Sequence, residues 1–160
     1  MITLEDEKFM RLAIEKTREA IARGQTPFGA CLVASDGKVL ACDHNVVWAT
    51  TDITAHGEVH TIRLACKAAG SIDLSGSTIY STTEPCPMCF SAIHWAKIGR
   101  IVYGASIADA QAAGFNELTI ANTWMKAQGH SPVQIDGGCL REACVELFKE
   151  WKSAGRARTY

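Results

Sequence analysis

The chain has 160 residues, a formal net charge of −1, 48% apolar residues and 21% charged ones. That size suits a single domain spanning 1–160 with one sizeable core, and the balance is that of an ordinary soluble globular protein. It argues against a protein whose main partner is a polyanion, and no apolar run is long enough to cross a bilayer.

Met1 to Glu7 is acidic where a secretory leader would be basic, so a cytoplasmic location is expected. Seven cysteines are then expected to be reduced thiols, and the odd count fits poorly with a closed disulfide framework. Cys31, Cys42, Cys66 and Cys144 lie in apolar stretches and read as small core residues. Lys149, Lys152, Arg156 and Arg158 form the one basic cluster, which reads more simply as a solvated face and tail than as a nucleic-acid contact.

In chain order, Thr3 caps a helix with an acidic first turn, which runs at helical spacing to Gly24. Phe28 to Ala34 predicts a strand, Ser35-Asp36-Gly37 a turn, and Lys38 to Cys42 a return strand. Asp43 to Thr54 reads as loop. A helix is expected from about Ala55 to Ala69, closed by Gly70, then a strand from Ser77 to Thr82. Pro85 opens a helix running to about Lys97. A strand over Arg100–Gly104 follows, then a short helix over Ile107–Ala113 and another over Leu118–Ala127. Val133–Ile135 predicts a short strand before the turn Asp136-Gly137-Gly138, and Leu140–Ser153 a final amphipathic helix. A hairpin followed by strand–helix alternation implies an α/β fold, a mixed central sheet sandwiched between helices.

Two short pieces carry chemistry: His56-Gly57-Glu58 and Pro85-Cys86-Pro87-Met88-Cys89. Cys86 and Cys89 are three apart, so on a helix they share one face and reach one ion. In a first turn the helix dipole favours the thiolate that metal binding needs. With His56 as third ligand, zinc would keep a fourth position for water, the mark of a catalytic site. Glu58 falls two residues from His56, placed to move a proton without ligating the metal. Structural zinc would want a fourth Cys or His at close spacing, and Cys139 and Cys144, five apart, do not share a helical face. A redox dithiol remains a further reading of Cys86 and Cys89. His60, four residues after His56, has the spacing of a two-histidine zinc site, but Gly57 stands where that motif needs Glu.

The pair of motifs has the H-x-E…P-C-x-x-C form of zinc deaminases acting on bases. With Pro27-Phe28-Gly29-Ala30, Asn45, Asp52 to Val59, Ile62 to Cys66, Glu84 to Cys89, Ala92 to Ala96 and Ala113-Gly114-Phe115-Asn116-Glu117, the chain resembles the cytidine deaminase superfamily. Within it the resemblance is to the bacterial guanine deaminases, to which the Ala-Gly-Phe-Asn-Glu piece points. It implies the cytidine deaminase-like three-layer α/β/α sandwich and hydrolysis of a nucleobase amine. It implies His56, Cys86 and Cys89 as ligands of a zinc cofactor, Glu58 as proton shuttle and Glu117 as a second acid serving the departing amine. Asn45 would bond the purine edge, and Phe28 and Trp95 would wall the pocket. Tyr160 matches a tyrosine on a C-terminal segment that closes a site and can be exchanged between subunits of a homodimer. The implied partner is a small nucleobase rather than a nucleic acid or a membrane.

The chain departs from the family at Gly57, where Ala is usual, and at Thr82-Thr83, where Ser-Cys is common. Residues 122–139 have little that aligns. Other substrates stay open: guanosine, cytosine, a pterin, a triazine or tRNA adenosine; a non-catalytic binding module is a further reading.

Overall fold

The computed structural model describes residues 1–160. Its elements are α1 (Leu4–Ala22), β1 (Gly29–Val33), β2 (Val39–His44), α2 (Val47–Thr50), α3 (Gly57–Ala69), β3 (Thr78–Thr83), α4 (Pro87–Trp95), β4 (Arg100–Ala105), α5 (Ile107–Ala112), α6 (Asn122–Gly129), β5 (Gln134–Gly137) and α7 (Arg141–Ser153). The five strands form one sheet in the order β2-β1-β3-β4-β5. β1 pairs antiparallel with β2 and β3; β4 runs parallel to β3 and β5. The sheet is therefore mixed, as the strand–helix alternation predicts.

Alternation along the strands builds two cores, one on each face. Cys31, Val33, Tyr80 and Val102 face α1 and α7, meeting Met10, Ile14, Leu147 and Phe148. Ala30, Leu32, Ile79 and Ile101 face α3 and α4, meeting Ile62, Ala65, Phe90 and Ile93. This is the expected three-layer sandwich.

The Thr3 cap is present as a reciprocal box: Asp6 N donates to Thr3 Oγ1 at 3.1 Å, and Thr3 N donates to an Asp6 carboxylate oxygen at 2.8 Å. Gly29 enters β1 where a β-carbon would meet Thr17 Oγ1 at 2.5 Å, so the sheet sits hard against α1.

Four local expectations are corrected. Val47–Thr50 is helical inside the expected loop; one turn is too short to show a period. α3 and α4 begin two residues later than predicted, at Gly57 and Pro87, which makes His56 and Cys86 cap residues. α6 starts at Asn122 rather than Leu118, because Glu84 captures the Asn122 N–H at 2.8 Å. β5 continues through the expected turn, with Asp136 and Gly137 paired to Val102 and Tyr103.

Candidate active site

The site forms beyond the C-terminal ends of β3 and β4, where the N-termini of α3 and α4 converge. Open α/β sheets bind ligands at that end. A helix cap residue commonly turns its side chain back onto the helix. His56 and Cys86 make no such bond, and their side chains point to a common centre instead. Pro87 at the first position of α4 sacrifices nothing, since that N–H has no intrahelical partner.

His56 Nδ1 lies 3.6 Å from Cys86 Sγ and 3.6 Å from Cys89 Sγ. The three donor atoms all fall within 4.8 Å of one another. Zinc–nitrogen and zinc–sulfur bonds of about 2.0 and 2.3 Å at tetrahedral angles separate N from S by roughly 3.6 Å, so the donor set fits that ion. His60 is not part of the cluster; its Nε2 lies 3.5 Å from Asp43 Oδ2.

The electrostatics suit a cation. A hydrogen bond from the Cys89 thiol holds Cys86 down to about 4 against the cost of burial, with His56 adding to the effect. The same bond, with burial, pushes Cys89 well above the usual thiol range. The surroundings thus favour the thiolate form at Cys86, the form that a metal needs.

Glu58, in the first turn of α3, is buried at 6% exposure. Ser81 Oγ donates to its Oε1 at 3.0 Å, and Cys89 Sγ donates to its Oε2 at 3.4 Å. Burial, and then the Cys86 thiolate, raise its carboxyl above the usual range. Glu117 reaches the same space from the segment after α5, and burial followed by the charges of Cys86 and Glu58 pushes it up to about 7. Two carboxylates of raised basicity therefore border the donor cluster.

Between them lies a recess of 30 Å³ bordered by His56, Glu58, Cys86 and Glu117, room for about one water. Next to it, a cavity of 280 Å³ opens toward solvent, with Ile53, Phe115, Leu118 and Tyr160 as apolar walls. That volume lies near the bottom of the range for small-molecule sites, suiting a flat ring or two.

The other expected residues divide. Phe28 borders the recess, its ring edge-on to Phe115 at 4.8 Å between centroids. Tyr160 covers its own chain's site, with its ring 5.6 Å from that of His56 and its hydroxyl 3.2 Å from Thr26 Oγ1. Asn45 is wholly buried behind the site. Its amide nitrogen donates to the Thr26 and Phe28 carbonyls, and its Oδ1 has no partner. Trp95 stands 78% exposed at the end of α4 and borders neither cavity of this chain. Helix α4 buries Cys89, Phe90 and Ile93, and a residue two past Ile93 falls on the opposite side.

Gly57 has a visible role. A β-carbon there would stand 3.0 Å from the Phe28 carbonyl oxygen and 3.4 Å from Gly29 Cα. Its absence lets α3 press its first turn onto the start of β1. The Phe28 carbonyl also accepts from Asn45 N at 3.0 Å, so the same contact sets the depth of Asn45.

Sequence reasoning missed three neighbours. Trp48, on α2, packs edge-on to Tyr160 at 6.1 Å and carries the Arg158 guanidinium 3.9 Å over its ring. Ser81 is the Glu58 partner, and Glu84 is a buried carboxylate holding two backbone amides. Only Glu84, directly before the Pro-Cys pair, carried a signal in the chain.

A His/Cys/Cys donor set beside buried acids at the mouth of a mixed sheet defines a zinc-dependent aminohydrolase site. Residues 3–105 match the family described as the cytidine and deoxycytidylate deaminase zinc-binding region, and the chain belongs to that family. It is 40% identical to a guanine deaminase of Bacillus subtilis over 155 residues, covering 96% of this chain and 98% of that protein. It is 34% identical to a tRNA-specific adenosine deaminase of the same organism over 157 residues, covering 96% and 94%. Among solved structures, a guanine deaminase from Nitrosomonas europaea superposes with a TM-score of 0.82 at 27% identity, covering 92% of this chain and 84% of that one. A tRNA:A34 deaminase superposes at 0.77 with 34% identity, covering 88% and 98%. The chain is a zinc-dependent deaminase with His56, Cys86 and Cys89 placed to hold the metal.

Proposed function

We propose that the substrate is guanine, converted with water to xanthine and ammonia. The observation that carries this reading is the pairing of Glu58 and Glu117 across one recess beside the donor cluster. Hydrolysis at a ring carbon bearing an amine needs one proton delivered to the ring and another to the leaving nitrogen.

His56, Cys86 and Cys89 would hold zinc, which would lower the pKa of a bound water from about 16 toward 7. Glu58 is the residue that would carry a proton to N3 of the ring, with Ser81 fixing the orientation of its carboxyl. Glu117 serves the departing amine at C2. The resemblance gives Asn45 the purine edge; its wholly buried Oδ1, without a partner, would have to be uncovered as the base enters. Phe28 and Tyr160 close on the ring and keep bulk water out.

The near-complete alignment with the Bacillus guanine deaminase supports guanine. So does a cavity of only 280 Å³ under Tyr160, which suits a free base better than a base carried on a polymer. The similarity to tRNA-specific adenosine deaminases favours a second reading, the wobble adenosine of a tRNA. Ammonia release from guanine, guanosine, cytosine and tRNA on zinc-replete protein separates the two. Guanine is expected to be turned over fastest, and fastest turnover of tRNA would reverse the assignment.

The protein would act as a homodimer in the cytoplasm, and no helix is long and apolar enough to cross a membrane. Alignment with the Bacillus guanine deaminase covers 96% of the chain, whereas superposition on a guanine deaminase structure from that organism covers 68%. Exchange of a C-terminal stretch between subunits would account for that shorter superposition.

A further inference from the structure

The loop that carries Glu117 runs from the start of α5 to the start of α6, and one side chain holds both of its ends. Glu84 is buried at 8% exposure. Its Oε2 accepts from the backbone N–H of Ile107 at 3.3 Å, and its Oε1 from that of Asn122 at 2.8 Å. These are the first residues of α5 and α6, so one carboxylate serves two helix N-termini, each with unsatisfied amides and a partial positive charge. The Asn122 side chain adds a bond from Nδ2 to the Pro85 carbonyl at 2.6 Å, and Glu84 N donates to the Ala105 carbonyl at 2.7 Å. The clamp is thereby fastened to the turn that presents Cys86.

We propose that Glu84 is the positioning residue for Glu117: by gripping the segment 107–122 at both ends it sets the distance of that acid from the reacting ring. This rests on the reading of Glu117 as a proton carrier. A chain tethered at Ile107 and Asn122 has few ways to move Glu117, and a shift of about 1 Å in a catalytic group can cost a hundredfold in rate. Glutamine at position 84 keeps one acceptor but turns an amide N–H toward the other backbone N–H, so one end is released while size is conserved.

The test is a double-mutant cycle on guanine turnover by zinc-replete protein, with zinc content measured for each variant. Glu84→Gln is expected to lower kcat about tenfold in the wild-type background, with KM little changed. In the Glu117→Gln background it should lower kcat less than twofold, because the group it positions is already disabled. Equal losses in the two backgrounds would assign Glu84 an independent structural or direct role and overturn the clamp. Should Glu84→Gln fail to fold or to bind zinc, Asn122→Pro against Asn122→Ala asks the same question. Both remove the side chain, but only proline removes the N–H, and Ala121 is already extended as a residue before proline must be. The proline variant should be several-fold slower than the alanine variant; equal rates would overturn the proposal. If Glu117→Gln alone leaves turnover unchanged, the catalytic reading of Glu117 falls and takes this one with it. If Glu117→Gln is slow but the cycle shows no coupling, only the clamp falls.

Discussion

The two ends of the β3–β4 pair both bury carboxylates and treat them in opposite ways. At the N-terminal end, Asp6 is 2% exposed but surrounded by donors: Arg100 at 2.6 Å, Tyr80 OH at 3.0 Å and Thr3 N at 2.8 Å. Burial works against ionisation, yet these bonds win and hold its carboxyl at about 2. At the C-terminal end, Glu58 has one hydroxyl, one thiol and a thiolate for neighbours, and its carboxyl rises above the usual range. Burial raises both acids; at Asp6 the Arg100 cation and the other donors outweigh it, and at Glu58 nothing of that strength does. A fully paired acid stabilises the fold; an under-paired one beside a cation site can move protons.

The strongest way to break this comparison is at the metal donors. Cys86→Ser, or a chelator, should abolish deamination and lower zinc measured by elemental analysis. Full zinc occupancy with Cys86 gone would remove it from the ligand set. Next, Glu58→Gln should keep zinc and lower kcat by roughly 10²–10⁴-fold, the usual contribution of a positioned general base. Its thermal midpoint should hold or rise, since a poorly paired buried carboxyl has been replaced by a neutral group. A marked fall in stability would show that Glu58 serves the fold as Asp6 does.

Smallest for activity is the opposite end. Asp6→Asn should cost about 1–3 kcal/mol of stability in denaturant unfolding, leaving turnover at 25 °C intact. The Asp6 carboxyl is depressed from its ordinary 3.8 to about 2 on folding. Its stabilisation is therefore complete above about pH 3.8 and lost as pH falls through about 2, on the order of 2 kcal/mol in all. The variant should show a flatter stability profile across that window, and identical acid limbs for the two proteins would contradict the assignment.

Much of the site was readable because its parts are local. The two ligand pieces, the proline-opened helix and the Thr3 cap each depend on short spacings, which any helix imposes. The division of the core into two, one on each face of the sheet, was not read from the chain, where one core was expected. Asn45 and Tyr160 were reached through resemblance alone, since neither lies near the ligands in the chain. Trp95 was likewise reached through resemblance alone, and the face of α4 it occupies is decided by Phe90 and Ile93 entering the core.

By itself, then, the amino-acid order determined the metal donors, the acid beside them and the layered fold, because those depend on short-range periodicity and on what each side chain can ligate. Only the tertiary structure decided which residues serve that acid and its partner. Ser81 reaches Glu58 across 23 residues, Glu84 grips Asn122 across 38, and Thr26 meets Tyr160 across 134. Contacts of that span arise when the sheet brings strand ends together, and no local pattern records them.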